Sequence, residues 1–192
     1  MAKLYFRYGA MNSGKTTALI QAAHNYHERG MKTLIIKPAM DSKGSDKIVS
    51  RLSISRQVDV LADGCDDLFS VIEKSKDSVH CILVDEAQFL TAVQVRQLFR
   101  VTAMLNIPVI CYGLRTDFLL NGFEGSQELL LLSHSIEELK TICECGRKAV
   151  VNGRKINGKF VFSGNQVAID GEHDVEYESL CAQCYFKSKE EG

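Results

Sequence analysis

Apolar residues fall along this chain in short blocks separated by longer amphipathic stretches. "KLYFRY" (3–8) has strand composition and is closed by Gly9. "TTALIQAAHNYHERG" comes next with helical spacing, placing Leu19, Ala22, Ala23 and Tyr26 on one inward face, with Gly30 as a left-handed cap. "TLIIK" (33–37) and "HCILVDE" (80–86) are continuous apolar runs, the pattern of strands buried on both faces. Residues 38–57 are polar and read as a loop, "VDVL" (58–61) as a short strand and "DDLFSVIEKSK" as a helix. "TAVQVRQLFRVTAMLN" is helical with Thr91 as its N-cap, and "PVICYG" (108–113) completes the strand series. Strands alternating with helices predict an α/β fold, a parallel sheet flanked by helices.

Beyond residue 113 the pattern changes. Residues 114–127 form a glycine-containing loop with two phenylalanines, and "ELLLL" (128–132) is helical. From about 143 to 186, short alternating segments, glycines and four cysteines predict a small β-rich unit. The division expected is 1–142 for the α/β domain and 143–192 for the β-rich one.

Composition agrees with a folded chain and removes several classes. With 45% hydrophobic residues in 192, the chain can bury a sizeable core; the net charge of −1 gives no bulk attraction for nucleic acid or an anionic membrane. No run of about 18 apolar residues occurs, and charge and glycine interrupt the first fifteen residues, so neither a membrane span nor a signal peptide is expected. Of seven cysteines, Cys65, Cys81 and Cys111 stand singly in or beside apolar stretches and read as small buried hydrophobes. A reducing cytoplasm is the compartment expected.

The chemistry begins at residues 9–16, "GAMNSGKT", which match the phosphate-loop pattern G-x-x-x-x-G-K-T between a strand and a helix. Gly9 and Gly14 allow the backbone N–H groups of Ala10, Met11, Asn12 and Ser13 to turn inward around phosphate oxygens. Lys15 reaches the terminal phosphates, and the Thr16 hydroxyl is a magnesium ligand. An acid closing a neighbouring buried strand organises the metal in such sites, and Asp85 stands there. Glu86, one residue on, is left between orienting a water and accepting a proton from a hydroxyl. Cys143, Cys145, Cys181 and Cys184, spaced C-x-C and C-x-x-C, suit a closed tetrahedral Zn²⁺ site of structural type, with disulfides or unrelated core cysteines as the alternatives.

Taken in order, "GAMNSGKTT", "LVDEAQF", "YGLRTDF" followed by "GF" and "GSQ", "LKTICECGRKA" and "YESLCAQCY" resemble the small, zinc-containing cytosolic thymidine kinases over nearly the whole chain. The resemblance implies transfer of phosphate from ATP to thymidine, with deoxyuridine as a second acceptor, in deoxynucleoside salvage. It makes Glu86 the base for the 5′-hydroxyl, Asp85 the magnesium-organising acid, and puts Gln88 near the nucleotide or nucleoside. Met11, Phe89, Leu114, Phe118 and Phe123 become the walls around thymine. Val167, Ile169, Gly171 and Tyr177 become a lasso over it. A homotetramer and feedback inhibition by thymidine triphosphate are also implied. The chain departs from the family in its C-x-C pair, in the stretch "DGEHDVEY", and in carrying Lys43 where an arginine is usual. Two other readings compete: an ATPase or helicase fragment, in which Glu86 polarises water, and a zinc-ribbon interaction module with a regulatory phosphate loop. The first lacks a second motor domain; the second leaves the paired acids and the phenylalanine loop without a task.

Overall fold

The computed structural model describes residues 1–39, 47–49, 55–166 and 175–191. In chain order the elements are β1 (Leu4–Tyr8), α1 (Lys15–Glu28), β2 (Thr33–Pro38), β3 (Lys47–Val49), β4 (Ser55–Gln57), β5 (Val60–Ala62), α2 (Leu68–Glu73), β6 (Cys81–Val84), α3 (Ala92–Met104), β7 (Val109–Gly113), α4 (Glu124–Leu132) and β8 (Ser135–Glu138). The C-terminal part adds β9 (Thr141–Ile142), β10 (Lys148–Ala149), β11 (Val151–Ile156), β12 (Lys159–Val161), β13 (Val175–Leu180) and α5 (Ala182–Glu191). Six strands form one sheet in the order β5-β2-β6-β7-β1-β8, every pairing parallel. Because the strands run one way, the loops leaving β1, β2, β6 and β7 emerge along a single edge, where open α/β sheets bind ligands.

Period-two alternation sorts the central strands between two apolar layers. Ile82, Val84, Val109 and Cys111 face α2, α3 and α4, while Cys81, Leu83 and Tyr112 face α1 with Leu19 and Ala23. Each Ile, Val or Leu among them is worth about 1.5–3 kcal/mol when fully buried. Thr91 caps α3 as expected, in a reciprocal box: its hydroxyl accepts from the Gln94 N–H at 3.2 Å and Gln94 Oε1 accepts from the Thr91 N–H at 3.1 Å. Gly30 is left-handed as expected, at φ 70°.

Several boundaries differ from the sequence reading. The polar stretch 38–57 contains the antiparallel pair β3/β4. The strand expected at 58–61 is β5, two residues later, because Val58 turns into the core and Asp59 Oδ2 accepts from the Ile35 N–H at 2.7 Å. Helix α4 begins at Glu124 rather than 128; Gly125 permits it, since a Cβ there would lie 2.6 Å from the carbonyl oxygens of Ala87 and Leu90. Strand β8 and helix α5 are not announced by the sequence pattern. The β8 strand is an edge with exposed, charged positions, and its Glu137 pairs with Arg7 directly opposite at 2.9 Å. Cys81 and Cys111 are buried as expected, but Cys65 is exposed in the turn before α2, so it is no core residue.

The C-terminal part has antiparallel sheets β10-β9 and β12-β11-β13. Its core is small: Cys143, Ala149, Leu180, Cys181 and Tyr185 cluster with Ala10 of the phosphate loop. No helix among the described residues is long and apolar enough to cross a membrane.

Candidate active site

The phosphate loop joins β1 to α1 at the C-terminal edge of the sheet. Asn12 and Gly14 are left-handed, at φ 64° and 76°, so the chain curls. Of the four N–H groups expected to face phosphate, that of Met11 instead donates to Asn152 Oδ1 at 2.7 Å and that of Ser13 to the Ala10 carbonyl at 3.3 Å. Gly9 is required by crowding: a Cβ would lie 2.4 Å from both the Leu139 carbonyl and Ser13 Oγ. Lys15 Nζ donates to the carbonyls of Gly9 at 3.1 Å and Ala10 at 2.9 Å, which keeps the ammonium over the loop.

Asp85 leaves the end of β6 only 4% exposed, facing the start of α1. The Thr16 hydroxyl donates to Asp85 Oδ2 at 3.3 Å. Burial pushes the Asp85 carboxyl up to about 7, and the neighbouring Glu86 charge adds to the rise, against the Glu86 N–H, Thr16 and Lys37. A hydroxyl and a desolvated carboxylate side by side offer the hard oxygen donors that Mg²⁺ takes.

Glu86 is left-handed, at φ 49° and ψ 39°, a conformation an L side chain rarely adopts. The turn lifts its carboxylate out of the strand register, and the chain runs on into a single 3-10 turn, Ala87–Phe89. Gln88 is buried and links both sides of the site. Its Oε1 accepts from the Leu114 N–H at 3.0 Å, which fixes the amide's orientation, and its Nε2 then donates to Glu86 Oε2 at 2.5 Å. One oxygen of the Glu86 carboxylate is therefore tied down, while the other has no hydrogen-bond partner among the described residues.

The apolar residues named from the sequence fall into two groups. Phe89 and Phe123 meet edge to face at 5.6 Å, and Leu114 is held by Gln88 and by the Ser126 hydroxyl, which donates to its carbonyl at 2.5 Å. Phe118 sits in a turn fastened by Asp117, whose Oδ1 accepts from the N–H groups of Leu119 and Asn121 at 2.8 Å each. The guanidinium of Arg154 lies 3.7 Å from the Phe118 ring centroid, and Arg154 Nε donates to the Tyr177 hydroxyl at 3.0 Å. Tyr177 thus joins Phe118 through Arg154. Val167, Ile169 and Gly171, and likewise Lys43, lie outside the described residues. Arg154, Asp117, Ser126, Asn152 and Ser179 escape sequence reasoning, because single polar residues carry no spacing signal of their own; Asp117, Ser126 and Ser179 stand inside motifs whose other residues carry the likeness.

The four late cysteines converge. The Sγ atoms of Cys143, Cys145, Cys181 and Cys184 all lie within 4.8 Å of one another, with Cys145 and Cys181 at 3.6 Å. Tetrahedral Zn–S bonds of about 2.3 Å would set S···S near about 3.8 Å, so the thiols present fit the metal. The Arg147 N–H, with help from Cys184, draws the Cys145 thiol down to about 6, and contacts with Cys145, Cys181 and Cys143 push Cys184 up to about 12. The Cys184 N–H donates to Cys181 Sγ at 3.4 Å, the kind of outer contact that steadies a thiolate ligand.

A phosphate loop, a buried acid behind it and a second acid beside it, all on one edge of a parallel sheet, define a P-loop enzyme that handles a nucleoside triphosphate. Comparison with known proteins narrows the class. The thymidine kinase family profile matches residues 2–185. The chain is 49% identical to a thymidine kinase of Mannheimia succiniciproducens, over 98% of this chain and 97% of that one. It is 46% identical to that of Enterobacteria phage T4 (94% of each) and 48% identical to that of Rhodopirellula baltica (97% and 89%). The chain belongs to the thymidine kinase family. Its activity is accordingly that of an ATP-dependent phosphotransferase, and its cysteine cluster is consistent with zinc.

Proposed function

We propose that this chain transfers the γ-phosphoryl group of ATP to the 5′-hydroxyl of thymidine, and of deoxyuridine, with Glu86 as the base. The observation that carries this reading is the Glu86–Gln88–Leu114 chain of hydrogen bonds, which couples the acid to an apolar wall rather than to open solvent. An acid meant for water needs no such link to a nucleoside pocket. The free Glu86 oxygen takes the hydroxyl proton as the O5′–Pγ bond forms and the bridge from Pγ to the β-phosphate oxygen breaks, leaving thymidine monophosphate and ADP.

In this reading residues 9–16 cradle the phosphates, with Lys15 on the terminal ones, and Thr16 and Asp85 hold Mg²⁺. When bound, that ion neutralises charge on the β- and γ-phosphate oxygens. Gln88 orients the base catalyst, and its neighbour Phe89 joins Met11, Leu114, Phe118 and Phe123 around thymine. Tyr177, with Val167, Ile169 and Gly171, covers the nucleoside. The same reading divides the chain into residues 1–142 and 143–192, the second organised by zinc on Cys143, Cys145, Cys181 and Cys184. It further includes a cytoplasmic homotetramer inhibited by thymidine triphosphate.

The test is a panel of nucleosides incubated with Mg-ATP, products separated by chromatography. Thymidine monophosphate is expected, deoxyuridine monophosphate with it, and slow phosphate release when nucleoside is omitted. Rapid hydrolysis without nucleoside would overturn the assignment of Glu86 to a hydroxyl.

A further inference from the structure

Met11 stands in the middle of the phosphate loop, yet both of its backbone polar groups are satisfied from the C-terminal unit. Its N–H donates to Asn152 Oδ1 at 2.7 Å, and its carbonyl accepts from the Ser179 hydroxyl. Asn152 on β11 and Ser179 on β13 are direct cross-strand partners, and their relative exposures are only 4% and 5%. Asn is a poor strand former, and a buried amide or hydroxyl is costly unless it is hydrogen-bonded. For the small sheet alone these two residues are therefore a burden. For the loop they fix the backbone of one residue from both sides.

Met11 matters because the curl of the loop starts from it. Asn12 and Gly14 are left-handed, and the direction of the N–H groups that face a phosphate depends on the plane from which they turn. Within the loop itself the only backbone turn bond among the described residues is the Ser13 N–H to the Ala10 carbonyl, a long 3.3 Å. The Thr141 hydroxyl adds a weaker tether to the Asn12 carbonyl at 3.5 Å.

We propose that Asn152 and Ser179 are positioning residues for ATP, a two-point grip by which the C-terminal unit sets the curvature of the phosphate loop. The inference rests on the reading of residues 9–16 as the ATP site. The β13 strand runs directly into Cys181, so the cysteine cluster holds the grip in register. Binding of the triphosphate is then a property of both parts of the chain.

The test uses purified protein with its zinc content measured, titrated calorimetrically with a non-hydrolysable ATP analogue and Mg²⁺. Asn152→Ala leaves the Met11 N–H without its acceptor and should weaken the analogue roughly ten- to hundredfold. Ser179→Ala should do the same in lesser degree, and Ser179→Thr, which keeps the hydroxyl, should restore affinity. In both alanine variants kcat at saturating ATP should stay within a few-fold of the parent while KM for ATP rises. Lys155→Ala removes an ion pair with Glu178 on the same two strands without touching the loop, and should leave the analogue's affinity unchanged. If Asn152→Ala and Ser179→Ala keep zinc and bind the analogue as the parent does, the grip is packing and the inference falls. It falls equally if Lys155→Ala weakens binding as much. Failure of the parent chain to bind the analogue would instead strike the ATP-site reading itself.

Discussion

Replacing Glu86 with glutamine isolates proton acceptance from everything else the residue does. The side chains are nearly isosteric, and the substitute's amide oxygen can still accept from Gln88 Nε2 where Glu86 Oε2 does now, at 2.5 Å. The Leu114 link to Gln88 is untouched, so the pocket wall keeps its place. What changes is the second position of the head group: an acceptor oxygen becomes an N–H donor, which could not take the proton that the proposed function assigns to Glu86. General-base catalysis is worth roughly 10²–10⁴-fold, or about 3–5 kcal/mol of barrier. For Glu86→Gln we expect kcat for thymidine to fall by that factor while calorimetric affinity for an ATP analogue stays within about threefold, since Glu86 lies outside residues 9–16. Single-turnover quench-flow, with ATP and nucleoside prebound, measures the chemical step apart from product release. Turnover within a few-fold of the parent would refute the assignment and place the base elsewhere. An equal loss of ATP affinity would refute the argument that the substitution leaves the site's geometry intact.

Gln88→Leu should act in two registers. The buried Leu114 N–H loses its partner, lowering stability by about 1–3 kcal/mol in urea unfolding, and the unanchored Glu86 should cost kcat roughly 10²-fold with KM for ATP unchanged. An unaltered kcat would show that Glu86 needs no anchor. Cys145→Ser should bring bound zinc, measured by atomic emission, well below one ion per chain and lower the melting temperature; a metal-free variant as stable as the parent would contradict a structural metal. Asp67 caps α2, and the Ser70 hydroxyl foremost, with the Ser70 and Phe69 N–H groups, holds its carboxyl below the usual 3.8. Its stabilisation is therefore present above that pH and lost as pH falls through the depressed value. The melting-temperature gap between the parent and Asp67→Ala should accordingly be constant around neutral pH and narrow as the pH falls below the usual carboxylate value.

The central sheet was legible because its strands are buried on both faces and so advertise themselves as unbroken apolar runs. The phosphate loop and "LVDEAQF" were legible for a different reason: their chemistry needs fixed residue types at fixed spacing. The β8 strand has neither property. It is an edge carrying Glu137 and Glu138, and only pairing with β1 makes it a strand. Gly125 hid the start of α4, since its poor helix propensity is overridden by the need to approach the 87–90 carbonyls. The partners that steady the site, Gln88 with Leu114 and Asn152 with Met11, are separated by 26 and 141 residues. Each is a single polar side chain finding a distant backbone group, and no local pattern announces such a pair.

The left-handed backbone at Glu86 has a consequence for anyone seeking a more heat-resistant version of this enzyme. An L residue in that conformation costs roughly 1–2 kcal/mol, and glycine would relieve it. A screen scored on melting temperature alone should therefore favour Glu86→Gly, and with Glu86 as the proposed base the winner would be a sturdier protein that binds nucleotides and turns over roughly 10²–10⁴-fold more slowly. At this one position, selection for endurance and selection for rate pull in opposite directions. Directed evolution of the chain needs catalysis in the screen from the first round.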